Sequence, residues 1–228
     1  MTEVEHLTER YAQRTLGMHA SEIRSLFAVA SRPEIVSLAG GMPNLSALPM
    51  EMMGTLVEKL VKENGQEALQ YGSGQGHPKL REQILDVMAL EGIRANADDV
   101  VVTTGSQQAL DLISRIFIDP GDVVLAEAPS YVGALGTFQQ YQAQVVHIAL
   151  DDHGLIPEAL REAIRTVRFS GRKIKFLYLI PNYQNPSGVL LSADRRTEIL
   201  EICRSEKSIL NCAKNYTSNI HPRAMIGS

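Results

Sequence analysis

The chain has 228 residues, of which 44% are hydrophobic and 21% charged, a balance that fits a folded globular protein and excludes wholesale disorder. Its formal net charge of −4 offers no electrostatic handle for nucleic acid or an anionic membrane. No apolar run approaches the roughly 18–20 residues of a membrane-spanning helix. The charged N-terminus MTEVEHLTERYAQRT lacks an apolar signal core, and Cys203 and Cys212 are too few for a disulfide framework, so the expected setting is the cytoplasm.

In chain order, the spacing of Leu7, Tyr11, Leu16, Ile23, Leu26, Phe27 and Ala30 predicts two helices joined near Gly17. Val36 to Ala39 reads as a short strand closed by Gly40, Gly41, Met42 and Pro43. Pro49 opens a helix expected to bury Met52, Met53, Leu56, Val57, Leu60 and Val61. After the glycine-rich loop Tyr71 to Gly76, Pro78 opens another helix, whose Leu80, Ile84, Leu85, Val87 and Met88 should face a core.

The rhythm then becomes regular. Strands are predicted at 99–103, 122–126, 144–148 and 175–180, and helices at 107–118, 132–141, 157–167 and from the Ser192 cap to about Arg204. This alternation is that of an α/β fold with a mainly parallel sheet. The tail from Lys207 to Ser228 does not read as a strand and loop.

Three strand ends carry chemistry. In Thr103-Thr104-Gly105-Ser106-Gln107-Gln108, a glycine turn opens a helix, so the Ser106 and Gln107 N–H groups could cradle a phosphate; a simple serine cap after a glycine turn explains the same residues. The spacing is not that of a Walker loop. Ala128-Pro129-Ser130-Tyr131 puts an aromatic ring beyond a strand's carboxyl end, either to stack on a flat heterocycle or to pack on its own helix. Pro181-Asn182-Tyr183-Gln184-Asn185-Pro186-Ser187-Gly188 fixes a turn in which the Asn185 amide could donate to a ring oxygen. Three such tips on one sheet suggest one ligand.

With these motifs in order, SLAGGMP, QYGSGQGHPKLR, TTGSQQALDL, EAPSY and PNYQNPSG, residues 15 to 206 resemble the fold-type I pyridoxal-phosphate enzymes. Within them, the likeness is to the class I/II aminotransferases of the 2-aminoadipate aminotransferase and MocR-like branch. The resemblance implies a three-layer sandwich with an N-terminal arm over 1–46, a partial large domain over 47–206 and a divergent tail over 207–228. It implies pyridoxal 5'-phosphate as cofactor, with Ser106 and Gln107 on its phosphate, Tyr131 on its pyridine ring and Asn185 on its phenolic oxygen. It further implies a homodimer in which Tyr71 reaches the neighbouring subunit's phosphate. Gly40 and Gly41 would line the substrate carboxylate region, and Arg24 could meet a distal carboxylate or be an ordinary exposed arginine. Amino acids and 2-oxo acids are then the expected substrates, with neither nucleic acid nor membrane as partner.

The family's Schiff-base lysine stands in a Ser-x-Ser-Lys-like setting downstream of the NPSG turn. None of Lys59, Lys62, Lys79, Lys173, Lys175, Lys207 and Lys214 has that setting, so no catalytic residue is assigned. No Asp or Glu follows Glu206 to serve the pyridine nitrogen, and the expectation is a C-terminally truncated chain that is inactive alone and marginally soluble. No metal site is expected, because neither the cysteines nor the six histidines cluster. Two other readings stay open on this scaffold: a β-elimination lyase, and a non-catalytic cofactor-sensing domain of a MocR-like regulator.

Overall fold

The computed structural model describes residues 9–17, 32, 34–35, 49–90 and 92–205, and the backbone of a strand at 209–212. The chain divides into two units, His19–Ser73 on one side and Met1–Met18 with Gly74–Ser228 on the other.

In the smaller unit the described helix is α1, Met50–Ala68, which is interrupted at Asn64 (φ −137°, ψ 25°). Its apolar residues are not buried as expected. Met52, Met53, Leu56, Val57, Leu60 and Val61 are exposed, from 49% at Leu60 to 56% at Val57. The helical period says which residues share a face, but not what covers that face. Of the two helices predicted between residues 7 and 31, the second lies outside the described residues, as does the strand at 36–39; the described part of the first holds only a 3-10 turn, Gln13–Gly17.

The larger unit carries α2 (Pro78–Leu90), α3 (Gly105–Phe117), β1 (Val123–Ala128), α4 (Val132–Gln140), β2 (Gln144–Asp151) and β3 (Gly154–Leu155). It continues through α5 (Pro157–Phe169), β4 (Ile174–Leu179), α6 (Ala193–Ser205) and β5 (Ile209–Cys212). The strands form one sheet in the order β3-β2-β1-β4-β5. β1 pairs in parallel with β2 and β4, and β4 with β5, while β3 turns back antiparallel on β2.

Because both faces of the sheet are covered, its central strands are continuous apolar runs, Val-Val-Leu-Ala-Glu-Ala and Ile-Lys-Phe-Leu-Tyr-Leu. Alternate residues feed two separate cores. Val123, Leu125, Leu177 and Leu179 pack with Leu160 and Ile164 of α5 and Ile199 and Ile202 of α6. Val124, Ala126, Phe176 and Tyr178 pack with Leu110 of α3 and Ala134 and Phe138 of α4. The Phe138 ring meets Phe176 and Tyr178 edge-on, with centroids 5.5 and 5.4 Å apart. The result is the expected three-layer α/β sandwich, here with a mixed sheet.

The larger unit departs from the sequence reading at three points. Among the described residues, 100–103 form no strand, although Val100 is extended, because an extended segment becomes a strand only beside a partner and this one lies outside the ladder. Val102 N–H instead donates to Gln75 O at 2.8 Å. Ile209–Cys212, read as divergent tail, forms a strand along β4, with Phe176 opposite Ile209; Ile-Leu-Asn-Cys shows neither a clear alternation nor a bounded apolar run that would announce it. On α2, Val87 and Leu80 stay exposed, whereas Ile84, Leu85 and Met88 are partly buried.

Candidate functional site

In an open α/β sheet, loops beyond the strands' carboxyl ends are where a ligand meets backbone donors and helix N-termini. β1 and β4 are neighbours, so the segments leaving them, Pro129–Tyr131 and Pro181–Gly188, start side by side. Gln184 joins them directly: its side-chain amide donates to Pro129 O at 2.7 Å. Beneath, the Glu127 Oε2 accepts the Ile180 N–H at 2.9 Å.

The third tip is the start of α3. Gly105 has φ 75°, a backbone that favours glycine, and a Cβ there would meet nothing within 4 Å. Ser106 and Gln107 follow in the first helical turn, both exposed, where N–H groups have no partner within the helix. The Gln107 side chain is committed elsewhere. It donates to the Thr137 Oγ1 at 2.6 Å, and that hydroxyl donates to Gly133 O at 2.9 Å, tying α3 to α4. The backbone N–H of Gln107, in the first helical turn, is the donor that stays without an intrahelical partner.

Tyr131 stands directly before α4 and is half-buried, with its ring folded over the first turn of that helix. A Cβ on Gly133 would lie 2.5 Å from the Tyr131 Cζ. The ring therefore packs on its own helix. Next to it the Ser130 Oγ is buried without a hydrogen-bond partner.

The Asn185 turn is held from two sides. Gln184 Oε1 accepts the Ser187 N–H at 2.9 Å and its hydroxyl at 2.6 Å. Arg196 of α6 donates to Leu191 O at 2.9 Å, Pro181 O at 3.2 Å and the Asn182 Oδ1 at 2.6 Å. Within these clamps Asn185 is exposed, and Tyr183 takes φ 48°.

A hydrogen-bonded path thus runs from the α3 N-terminus through Thr137 and α4 to Tyr131, and from Pro129 through Gln184 to the Asn185 turn. Tyr71 belongs to the other unit and is 99% exposed. Gly40, Gly41 and Arg24 lie outside the described residues. Lys175 sits at the opposite, amino end of β4, bound to Asp122 at 3.0 Å and Asp119 at 3.5 Å, and these carboxylates raise its pKa. Among the described residues no group of three or more His, Cys, Asp or Glu is placed to hold a metal, and no helix is long and apolar enough to cross a membrane.

Sequence reasoning passed over Glu127, which is 1% exposed and whose carboxyl burial pushes up to about 7. Its signal was available: a carboxylate inside an otherwise apolar strand. Gln184 and Thr137 carried no such mark, since an amide and a hydroxyl are ordinary in turns and helices.

Residues 38–216 match the family model described as aminotransferase class I and II. An aromatic-amino-acid aminotransferase 1 of Thermococcus litoralis is 39% identical over 84% of this chain and 46% of its own length. A 2-aminoadipate transaminase of Thermus thermophilus is 35% identical over 86% of this chain and 47% of its own. Among solved structures, Pyrococcus horikoshii kynurenine aminotransferase, in complex with PMP, superposes with a TM-score of 0.84 at 36% identity, covering 92% of this chain and 52% of that one. The chain spans about half the length of the curated relatives it matches.

Proposed function

Because the chain belongs to the class I and II aminotransferase family, we propose that it supplies the cofactor-binding residues of an enzyme that moves an amino group between an amino acid and a 2-oxo acid. The observation that supports this is the pair of hydrogen bonds that tie the start of α3 to α4 and the segment after β1 to the segment after β4.

The residues present fit pyridoxal 5'-phosphate. The first turn of α3 has exposed N–H donors for a dianionic phosphate, and the space above Gly105 is open. The orphaned Ser130 hydroxyl is a donor in want of an acceptor. In this reading the Ser106 N–H and hydroxyl and the Gln107 N–H bind the phosphate. The Tyr131 ring, packed on the first turn of α4, would offer its outer face to the pyridine. The Asn185 amide donates to the phenolic oxygen and fixes the ring's rotation.

When bound, the cofactor supplies an electron sink that makes the substrate Cα–H acidic. None of the seven lysines stands in the family's setting, so we expect non-covalent binding and no turnover from these residues alone. Tyr71 and the exposed apolar face of α1 favour a homodimer, with Tyr71 serving the neighbouring subunit. Gly40, Gly41 and Arg24 are proposed for the substrate's carboxylates. The proposed division is an arm over 1–46, a cofactor domain over 47–206 and a short tail over 207–228, working in cytoplasmic amino-acid metabolism.

The test is equilibrium titration with pyridoxal 5'-phosphate and pyridoxamine phosphate, followed by borohydride. Saturable binding weakened about tenfold or more by Asn185→Asp or Ser106→Ala is expected, with no covalent adduct. Absence of binding to either compound overturns the reading; a borohydride-fixed adduct overturns its statement about lysine.

A further inference from the structure

Glu127 sits at the carboxyl end of β1 with 1% of its surface exposed. A carboxylate so placed keeps its charge only if donors hold it. Two do: the Ile180 N–H at 2.9 Å and the Gln184 side chain. These two residues bracket the entry to the Asn185 turn. Gln184, itself 3% exposed, is fully engaged, its amide shared between Pro129 O and Glu127 and its carbonyl taken by Ser187. Between them Tyr183 has φ 48°, a conformation that a bulky residue holds only when its neighbours impose it.

We propose that Glu127 is a positioning residue, whose carboxylate, by accepting from Ile180 and Gln184, holds the turn in the form that presents Asn185 to the cofactor. The proposal rests on the cofactor site argued above. Protonation would set an O–H against the Gln184 amide, whose carbonyl already serves Ser187, so that contact is lost and the turn loosens. Burial pushes the Glu127 carboxyl up to about 7, which brings this change into the neutral range.

The charges on the surrounding elements leave Glu127 to these donors. On its face of the sheet, α6 contributes Arg196, spent on Pro181, Leu191 and Asn182, and Arg195, paired with Asp151. The α5 charges Glu158, Arg161, Glu162, Arg165 and Arg168 are exposed, as is His147 of β2. Tyr178 packs in the core on the opposite face, with Tyr131 beside it. Among the described residues Glu127 forms no ion pair.

The experiment compares the full chain with Glu127→Gln at about pH 6 and about pH 8. Pyridoxamine phosphate, which needs no covalent lysine bond, is titrated at each pH, and amide exchange of residues 183–188 is followed in parallel. The expected result is that wild-type affinity rises between the two pH values by at least about fivefold more than in the variant. The corrected exchange of 183–188 should slow at the higher pH in wild type alone. Equal pH dependence of exchange in the two proteins overturns the proposal. If wild type binds no pyridoxamine phosphate while the exchange behaves as stated, the cofactor reading falls and the positioning role stands. Should Glu127→Gln fail to fold, Gln184→Met, which keeps the length and removes the donor, is expected to abolish the same pH dependence; its retention there is equally fatal.

Discussion

The Tyr131 ring occupies the space that Gly133 leaves open: a Cβ at 133 would stand 2.5 Å from Cζ and 2.6 Å from the hydroxyl oxygen. The atoms in the way are the far end of a side chain, so Gly133→Ala swings the ring off the helix rather than displacing backbone. Alanine gains about 1 kcal/mol of helix propensity, which offsets the lost packing. Stability by urea unfolding should therefore change by less than about 1 kcal/mol, while affinity for pyridoxamine phosphate falls. A variant that binds as well as wild type would mean that this ring position is irrelevant to the ligand.

Glu127 should also leave its mark on stability. Its folded carboxyl titrates at about 7 against an ordinary 4.5. Between these values the native chain holds a proton that the unfolded chain has released, so stability falls as pH rises through that window and levels off above it. The full effect is on the order of 3 kcal/mol at 1.36 kcal/mol per unit. Urea unfolding across the window, taken as wild type minus Glu127→Gln, should show that decline; a flat difference contradicts it.

Asp151 behaves in the opposite sense. Its two oxygens accept from the Arg195 guanidinium at 2.5 and 2.8 Å, and its carboxyl is lowered to about 2, first by that hydrogen bond and then by the His153 N–H. A depressed acid contributes stability above its unfolded pKa and loses it as pH falls through the folded value. The acid limb of unfolding should thus be shallower in Asp151→Asn than in wild type below about pH 4. High salt should shrink the contrast, since the pair is partly solvent-exposed.

Arg196 ties α6 to the Asn185 turn through three acceptors, Leu191 O, Pro181 O and Asn182 Oδ1. Arg196→Ala takes the guanidinium donor from Leu191 O and unties α6 from the turn, while Pro181 O keeps the Leu191 N–H at 2.9 Å, and should cost about 1–2 kcal/mol. Arg196→Lys should recover less than half, because a single ammonium does not reproduce the planar fork. Chemical denaturation of both variants decides this.

Gly154 has φ 97°, and a Cβ there would lie 2.6 Å from the Leu191 Cδ1 and 3.0 Å from its Cα. Strained φ and a blocked backbone approach act together, so Gly154→Ala should destabilise by about 2 kcal/mol or more. The loss should appear as a lower denaturation midpoint with an unchanged slope.

Much of this molecule was legible in its amino-acid order. Helices from Pro78, at 107–118, 132–141 and 157–167 and beyond Ser192, and strands around 123, 144 and 175, reappear within a few residues, because period and capping act over single elements. The turns before Tyr131 and around Asn185 were also readable, since turn residues follow strand ends, and Gly105 marked the start of α3. Whatever depends on distant partners was not. Among the described residues Val100 to Thr103 has no strand to pair with, Ile209 to Cys212 gains one, and the apolar residues of α1 remain exposed. The Tyr131 ring chose its own helix over an equally plausible outward pose, which Gly133 alone made possible. Glu127 became a buried, proton-retaining group only when β4 and Gln184 closed over it. Local chemistry determines elements and turns; desolvation and contact between residues far apart in the chain exist only once the layers have packed.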